Sequence, residues 1–113
     1  MSIPQSFIAE NLIAQPTLIE DAISYQDGSV VSREIIKTSG ATITLFAFDE
    51  GQGLSEHETP FNALVQIMDG EAEIIIDGKT HQVKAGEIII MPADHPHALK
   101  AIKKFKMILT MAR

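Results

Sequence analysis

The chain has 113 residues, 45% of them apolar, and its nine basic and fifteen acidic side chains give a formal net charge of −6. This length suits one domain with its own hydrophobic core. The acidic balance argues against nucleic acid as a partner, because phosphate backbones are bound mainly through clustered Lys and Arg. Without cysteine the chain forms neither disulfides nor thiolate metal sites, which fits a cytoplasmic protein.

The sequence also lacks the features of a membrane span and of a signal peptide. No stretch is long and apolar enough to span a membrane, so no membrane partner is expected. The first residues carry no basic segment before an apolar run, so no signal peptide is expected.

The first 22 residues are predicted to form an N-terminal arm that contains a short helix. Ser6 is a suitable N-cap, Glu10 stands near the offset of a capping box, and Pro16 would end the helix. Residues 23–113 are then predicted to form the main domain.

After the arm, the helical period disappears and short runs rich in Ile, Val, Thr and Phe take over. Gly and Pro turn signals separate these runs, and Asp77-Gly78 has the residues that a type I′ hairpin needs. Many short strands without a long helix predict an all-β antiparallel sandwich or barrel. The runs are 29–37, 41–49, 62–68, 71–76, 80–84, 87–91, 97–102 and 104–111.

The last run indicates how the core forms. Side chains alternate along a strand, so every second residue of this run should point into the barrel. The basic segment 100–106 is interpreted as a solvated strand face. Met68, Met91 and Met107 are expected near the barrel mouth, either as core packing or as the wall of an apolar ligand pocket. The inward residues are Phe105, Met107, Leu109 and Met111.

His57 raises the question of a metal site, because it follows the glycine-flanked turn at 51–53. The positions two and six residues further on hold Thr59 and Ala63, and neither makes a good metal ligand. His57 or His97 could serve as a general base, since imidazole titrates near neutral pH. No second catalytic partner is visible, and the sequence contains neither a nucleophile elbow nor a phosphate-binding glycine loop.

Two segments, "GQGLSEHETPFNALVQIMDG" and "GEIIIMPADHPH", resemble the two motifs of the cupin family. The family motifs read G-x5-H-x-H-x3-4-E-x6-G and G-x5-P-x-G-x2-H. Two motifs with independent spacing occur here in the right order. The first is matched by Gly51, His57 and Gly70, and the second by Gly86, Pro92 and His97, with Asp94 at the glycine position.

The resemblance implies a double-stranded β-helix, also called a jelly-roll barrel, that is often a homodimer. In metal-binding cupins the first motif supplies two histidines and a glutamate, and the second supplies a third histidine. Carried over to this chain, His57 and His97 match two of the four ligands. Thr59 stands at the position of the second histidine and Ala63 at that of the glutamate.

A third ligand could come from elsewhere. His95 lies two residues before His97, although Pro96 between them interrupts simple alternation. Gln66 is a weaker oxygen donor, on the opposite face from Ala63 by strict alternation. With such a set the cofactor would be a divalent Zn, Ni, Fe or Mn ion. The alternative is that His57 and His97 bond to each other, to Thr59 or to water.

The function predicted from these features is a small-molecule binding or sensing module with an incomplete metal site. A rival interpretation is a metal-dependent enzyme of the cupin type, such as a dioxygenase, isomerase or decarboxylase. A third is a structural or partner-binding homodimer. Residues 29–37 are apolar on both faces, which predicts that a second chain covers them in a homodimer.

Overall fold

The structure, a computed structural model that describes residues 6–113, consists mainly of antiparallel β-strands. Two short 3-10 turns, Glu10–Leu12 and Ile19–Asp21, precede the main sheets. No helix in the described range is long and apolar enough to cross a membrane. The strands are β1 Phe7–Ile8, β2 Val30–Lys37, β3 Ala41–Phe48, β4 Gly53–His57, β5 Asn62–Ile76, β6 Lys79–Lys84, β7 Ile88–Met91, β8 His97–Lys100 and β9 Phe105–Ala112.

Strand β5 belongs to both sheets of the barrel. Its first half pairs with β7 and β9, which places it in the order β1-β2-β3-β9-β5-β7. Its second half pairs with β6 and β8, in the order β4-β8-β5-β6. The all-β jelly-roll prediction is therefore confirmed. The hairpin prediction is confirmed too, because Asp77 and Gly78 have φ values of 52° and 78° between β5 and β6.

A bulge bends β5 where the sequence predicts a turn between two strands. The register against β9 shifts between Ile67 and Asp69, and Gly70 adopts a φ of 74°. A Cβ at Gly70 would overlap the carbonyl oxygen of Lys104 on the approach to β9. Only glycine combines this conformation with so close a backbone approach, so the strand continues through the Asp-Gly pair instead of ending there.

The core lies between the two sheets, as the alternation along β9 predicts. Phe105 and Met107 are fully buried, and Leu109 and Met111 pack against the same cluster. The rings of Phe48 and Phe105 stack with centroids 4.5 Å apart.

A second apolar cluster covers the outer face of the larger sheet, under the N-terminal arm. Ala22 at the end of the arm and Ile23 directly after it pack on Leu45 and Ala47 of β3. Lys106 lies beneath the arm, only 9% exposed, and its Nζ donates a 2.7 Å hydrogen bond to the Glu20 carbonyl. The interpretation of 100–106 as a solvated face is therefore wrong for this side chain, because the arm returns across it.

Tyr25 completes the attachment of the arm to the sheet. Its hydroxyl donates a 2.5 Å hydrogen bond to Asp69, and the ammonium groups of Lys104 and Lys106 lie 4.8 and 4.9 Å from its ring centroid. Burial and the neighbouring Asp69 carboxylate raise the pKa of the Tyr25 hydroxyl, so it stays protonated near neutral pH.

The short helix predicted to begin at Ser6 is reduced to the 3-10 turn Glu10–Leu12. Ala9 takes the N-cap position, without a side-chain hydrogen bond, and its N–H bonds to the Ile35 carbonyl. Strand β1 precedes the turn and pairs with the end of β2. Pairing with β2 thus replaces the local capping signal, which is worth only about 1 kcal/mol.

The apolar pattern of β2 is explained within the single chain. Val31 and Ile35 pack against the outer cluster with Ala22 and Ile23, while Val30 packs against the inner core. The arm therefore supplies cover that was expected from a second chain. The homodimer stays a prediction, and the pattern of β2 alone does not require it.

The bulge yields a prediction about stability. Gly70→Ala should lower the free energy of unfolding by at least about 2 kcal/mol, because it combines a left-handed backbone with a backbone overlap. Gly78→Ala is the matched control, with a similar φ and nothing within 4 Å of an added Cβ. It should cost roughly 1 kcal/mol. Urea denaturation of both variants makes the comparison, and equal losses would contradict the close approach at Gly70.

Candidate functional site

Strands β4 and β8 bring His57 and His97 together. The two residues are register partners, and Leu54 and Leu99 are partners further along the same strands, beyond a shift in register. The sequence did not predict β4, because Ser55 and Glu56 have little preference for strands. Pairing with β8 overrides this weak local preference.

A tight turn before β8 aims His97 inward. Asp94 stands at the glycine position of the second motif and has a φ of 64°, which Asp adopts more readily than most residues. Its N–H bonds to the Thr59 carbonyl at 2.8 Å, and the His95 N–H bonds to the Pro92 carbonyl at 3.4 Å. The first bond joins the turn to the loop after His57, and the second lies within the turn itself.

The two imidazoles meet edge to face. Their Nε2 atoms are 3.1 Å apart, the ring centroids are 4.4 Å apart, and the ring planes cross at 72°. His97 is only 3% exposed, whereas His57 reaches solvent.

Backbone carbonyls fix the tautomers of both rings. The Nδ1 of His57 lies 2.8 Å from the Ser55 oxygen, and that of His97 lies 3.2 Å from the His95 oxygen. A carbonyl only accepts, so each Nδ1 carries a proton. In the neutral pair both Nε2 atoms are then acceptors 3.1 Å apart, so a donor within reach of both can bond to either.

The pair resists a second positive charge. Burial holds the pKa of His97 below its usual 6.5, and the nearby His57 imidazole lowers it further, against a smaller upward effect of the bond to His95. Two imidazolium ions at this separation would repel each other strongly. His97 is therefore neutral at pH 7.

An apolar cavity of about 30 Å³ lies below the two histidines. This space accommodates a water molecule, and it is far smaller than the roughly 300–1,000 Å³ of typical small-molecule sites. Apart from Thr59 and the imidazoles, its wall carries no polar side chain. The lining residues are Leu54, His57, Thr59, Ala63, Met91, His97, Leu99, Met107, Leu109 and Met111.

Four of the residues expected in the pocket line this cavity, namely Thr59, Ala63, Met91 and Met107. Gln66 and Met68 do not. Ala63, Val65 and Ile67 are buried between the sheets, so alternation turns the residues between them outward. Met68 packs in the outer cluster with Tyr25, which corrects its expected place at the barrel mouth.

His95 points away from the pair. Its Nδ1 lies 2.8 Å from the Asp77 carboxylate, and both side chains are about half exposed. The turn at Pro96 breaks the alternation that would have put His95 beside His97. His95 is therefore not a third member of the set, and Asp77 is a partner that the sequence did not reveal.

The donor set does not fit the resident metal of a typical cupin. A spacing of roughly 3.0–3.4 Å between nitrogens suits two imidazoles on one ion, and the pair satisfies it. However, Ala63 has no donor atom, and the Thr59 hydroxyl is engaged with Phe61 at 3.2 Å. Within residues 6–113 no three His, Cys, Asp or Glu side chains come close enough to hold an ion.

The sequence analysis missed part of this wall. Leu54 and Leu99 line the cavity without having been predicted. Leu54 lies on β4, which was not recognised as a strand, whereas Leu99 lies in the predicted run 97–102. The sequence did contain a signal for both residues, because Leu54 and Leu99 each lie close in sequence to a motif histidine.

A family model for the cupin domain matches residues 44–112, a range that contains the paired histidines and most of the cavity wall. The chain belongs to the cupin family. No curated protein matches this cupin.

Solved structures include close relatives of this cupin. A conserved protein of unknown function from Streptococcus pyogenes is 33% identical with a TM-score of 0.90, over 98% of this chain and 97% of that one. A cupin-2 conserved barrel protein from Leptotrichia buccalis is 36% identical with a TM-score of 0.81, over 82% of this chain and 45% of that one. A cupin superfamily protein from Desulfitobacterium hafniense is 26% identical with a TM-score of 0.83, over 87% and 90%.

The depressed pKa of His97 makes the stability of this cupin depend on pH. Unfolding restores a pKa near 6.5, so below that pH the unfolded chain binds more protons than the folded one. The free energy of unfolding should therefore fall as pH drops through about 6.5 towards the lower pKa of the folded state. Urea titrations of the wild type and of His97→Gln across this range measure the difference. A slope that His97→Gln leaves unchanged would assign the effect to other groups.

Proposed function

We propose that this cupin is a small-molecule binding module whose barrel accepts a hydrogen-bond donor between His57 and His97. The observation that carries the proposal is the Nε2 separation of 3.1 Å together with the two carbonyls that hold protons on both Nδ1 atoms. Two convergent acceptors in an otherwise apolar cavity favour a hydroxyl or an N–H group on a mainly apolar molecule.

The flexibility of the cavity wall supports a ligand larger than the present cavity. Met91, Met107 and Met111 together form much of the wall. Methionine is unbranched and adapts to irregular shapes, so rotation of these side chains enlarges the space at little cost. Each buried CH₂ of a ligand then contributes about 0.8 kcal/mol.

The small cavity also favours the structural role that the sequence left open. A space of about 30 Å³ leaves little room for a ligand unless the methionines move. In a purely structural or partner-binding role the His57–His97 contact would only hold β4 against β8. Ligand titration separates the two roles.

A metal-dependent enzyme is the weaker alternative for this donor set. Two imidazoles form one edge of a coordination site, but a catalytic ion usually takes three protein ligands. No reaction step is assigned to this site.

The binding proposal is tested by methyl NMR with straight-chain alcohols from ethanol to hexanol. Saturable shifts are expected at the methyl groups of Met91, Met107 and Met111. Met68 is the internal control, because it lies on the other face of the sheet. His57→Ala should weaken binding about fivefold through the lost hydrogen bond, and His81→Ala on β6 should not. Equal shifts at Met68, or no saturation, would refute the barrel as the binding site.

The metal alternative is tested by calorimetry with Zn²⁺ and Ni²⁺ on protein purified without an affinity tag. Wild type should show no binding at micromolar concentrations, because the two imidazoles of His57 and His97 alone hold a metal ion weakly. Thr59→His should create binding by adding a third imidazole at a cavity-lining position. His57→Ala in that background should remove it, and His95→Ala should not. Tight binding by wild type, or its loss on His95→Ala, would show the ligand set to be different.

A further inference from the structure

A larger cleft lies outside the barrel, beside the turn between β2 and β3. Its volume is about 440 Å³, which is within the range of small-molecule sites and far above that of the inner cavity. Its wall includes Lys37, Thr38, Phe61, Met111 and Arg113. We call this space the outer cleft.

The charges in the outer cleft are opposite to those of the chain as a whole. Lys37 and Arg113 line it, and among the described residues 6–113 no Asp or Glu does, although the chain has a net charge of −6. Among residues 6–113 the salt bridge present is that of His95 with Asp77, so neither cation is paired with a carboxylate there. Two cations without a paired carboxylate beside apolar surface favour an organic anion.

The Arg113 side of the outer cleft and the turn beside it are held in place before any ligand arrives. The Arg113 guanidinium carbon lies 4.8 Å from the centroid of the Phe61 ring, and the backbone N–H of Arg113 donates to the Gly40 carbonyl at 3.2 Å. The Thr38 hydroxyl accepts the N–H groups of Gly40 and Ala41 at 3.3 and 3.1 Å, which fixes the turn. A preorganised wall reduces the ordering cost of binding.

Met111 separates the outer cleft from the inner cavity. It lines both spaces, so a rotation of this one flexible side chain would connect them. A molecule in the cleft would thus have an apolar route towards His57 and His97.

We propose that the outer cleft binds the carboxylate or phosphate group of a small organic anion through Lys37 and Arg113. The apolar part of the same molecule passes Met111 and brings a donor group to the two histidines. This second half rests on the proposed binding function of the barrel, whereas the anion contacts do not. The ligand class is therefore an acid with a short apolar chain and a distal hydroxyl or amino group.

The test compares 1-hexanol with 6-hydroxyhexanoate and 6-hydroxyhexyl phosphate by calorimetry and by the methionine methyl signals. At least one of the two anions should bind about tenfold more tightly than hexanol, because its acidic group forms charge-assisted hydrogen bonds that hexanol cannot form. The Met111 methyl should shift with that anion. Whichever of the two binds more tightly identifies the acidic group.

Charge-neutralising variants assign the contacts. Lys37→Gln and Arg113→Gln should each remove most of the tenfold gain. Lys100→Gln, an exposed position on β8 outside the cleft, makes the same change in net charge and should leave the gain intact. Amide NMR spectra confirm that the variants are folded.

The possible failures are distinct. If hexanol binds and neither anion binds more tightly, or if Lys100→Gln removes the gain equally, the outer cleft is not an anion site and the barrel proposal stands. If an anion binds through Lys37 and Arg113 while hexanol does not bind, the cleft is supported and the barrel function is overturned. If nothing binds at millimolar concentrations, both are overturned.

Discussion

The architecture depends on one strand that serves two sheets. Up to Gly70, β5 pairs with β7 and β9, and beyond it with β6 and β8. The register shift between Ile67 and Asp69, followed by the close approach of Gly70 to the Lys104 carbonyl, lies at the change of sheet. Because β8 pairs with the second half of β5 and β4 pairs with β8, the meeting of His57 and His97 follows from that change of direction.

The site buries a polar ring and still leaves acceptor nitrogens free, two requirements that normally conflict. Burying a polar ring costs free energy unless its nitrogens are bonded, and the carbonyls of Ser55 and His95 satisfy one nitrogen of each imidazole. The remaining nitrogens face each other, and the lowered pKa of His97 keeps it neutral. The pair is thus more suited to accepting a donor than to carrying charge. With alanine and threonine at two ligand positions of the first motif, it differs from the donor set that metal-binding cupins use.

Cationic side chains have different surroundings on the two sides of the larger sheet. Lys106 lies under the arm, bonded to the Glu20 carbonyl and close to the ring of Tyr25, so its charge stabilises the attachment of the arm. Lys37 and Arg113 stand in an open cleft without a carboxylate partner in the described chain. A buried cation that is bonded to a backbone carbonyl is closed off from ligands, whereas cations at an open cleft stay accessible to them. The same charge therefore supports structure in one place and recognition in the other.

The sequence alone determined the fold class, the Asp77-Gly78 hairpin and the inward face of β9, because local alternation and turn chemistry encode them. The proximity of His57 to His97 was implied by the resemblance of the two motifs to those of the cupin family. The sequence did not determine strand β4 or the direction in which the His95 side chain points. Strand β4 exists through pairing with β8, and His95 is turned to Asp77 by the geometry around Pro96. Other features that the sequence did not predict also arise from contacts formed only in the folded chain. The burial of Lys106, the outward position of Met68 and the outer cleft depend on segments distant in sequence that only the folded chain brings together.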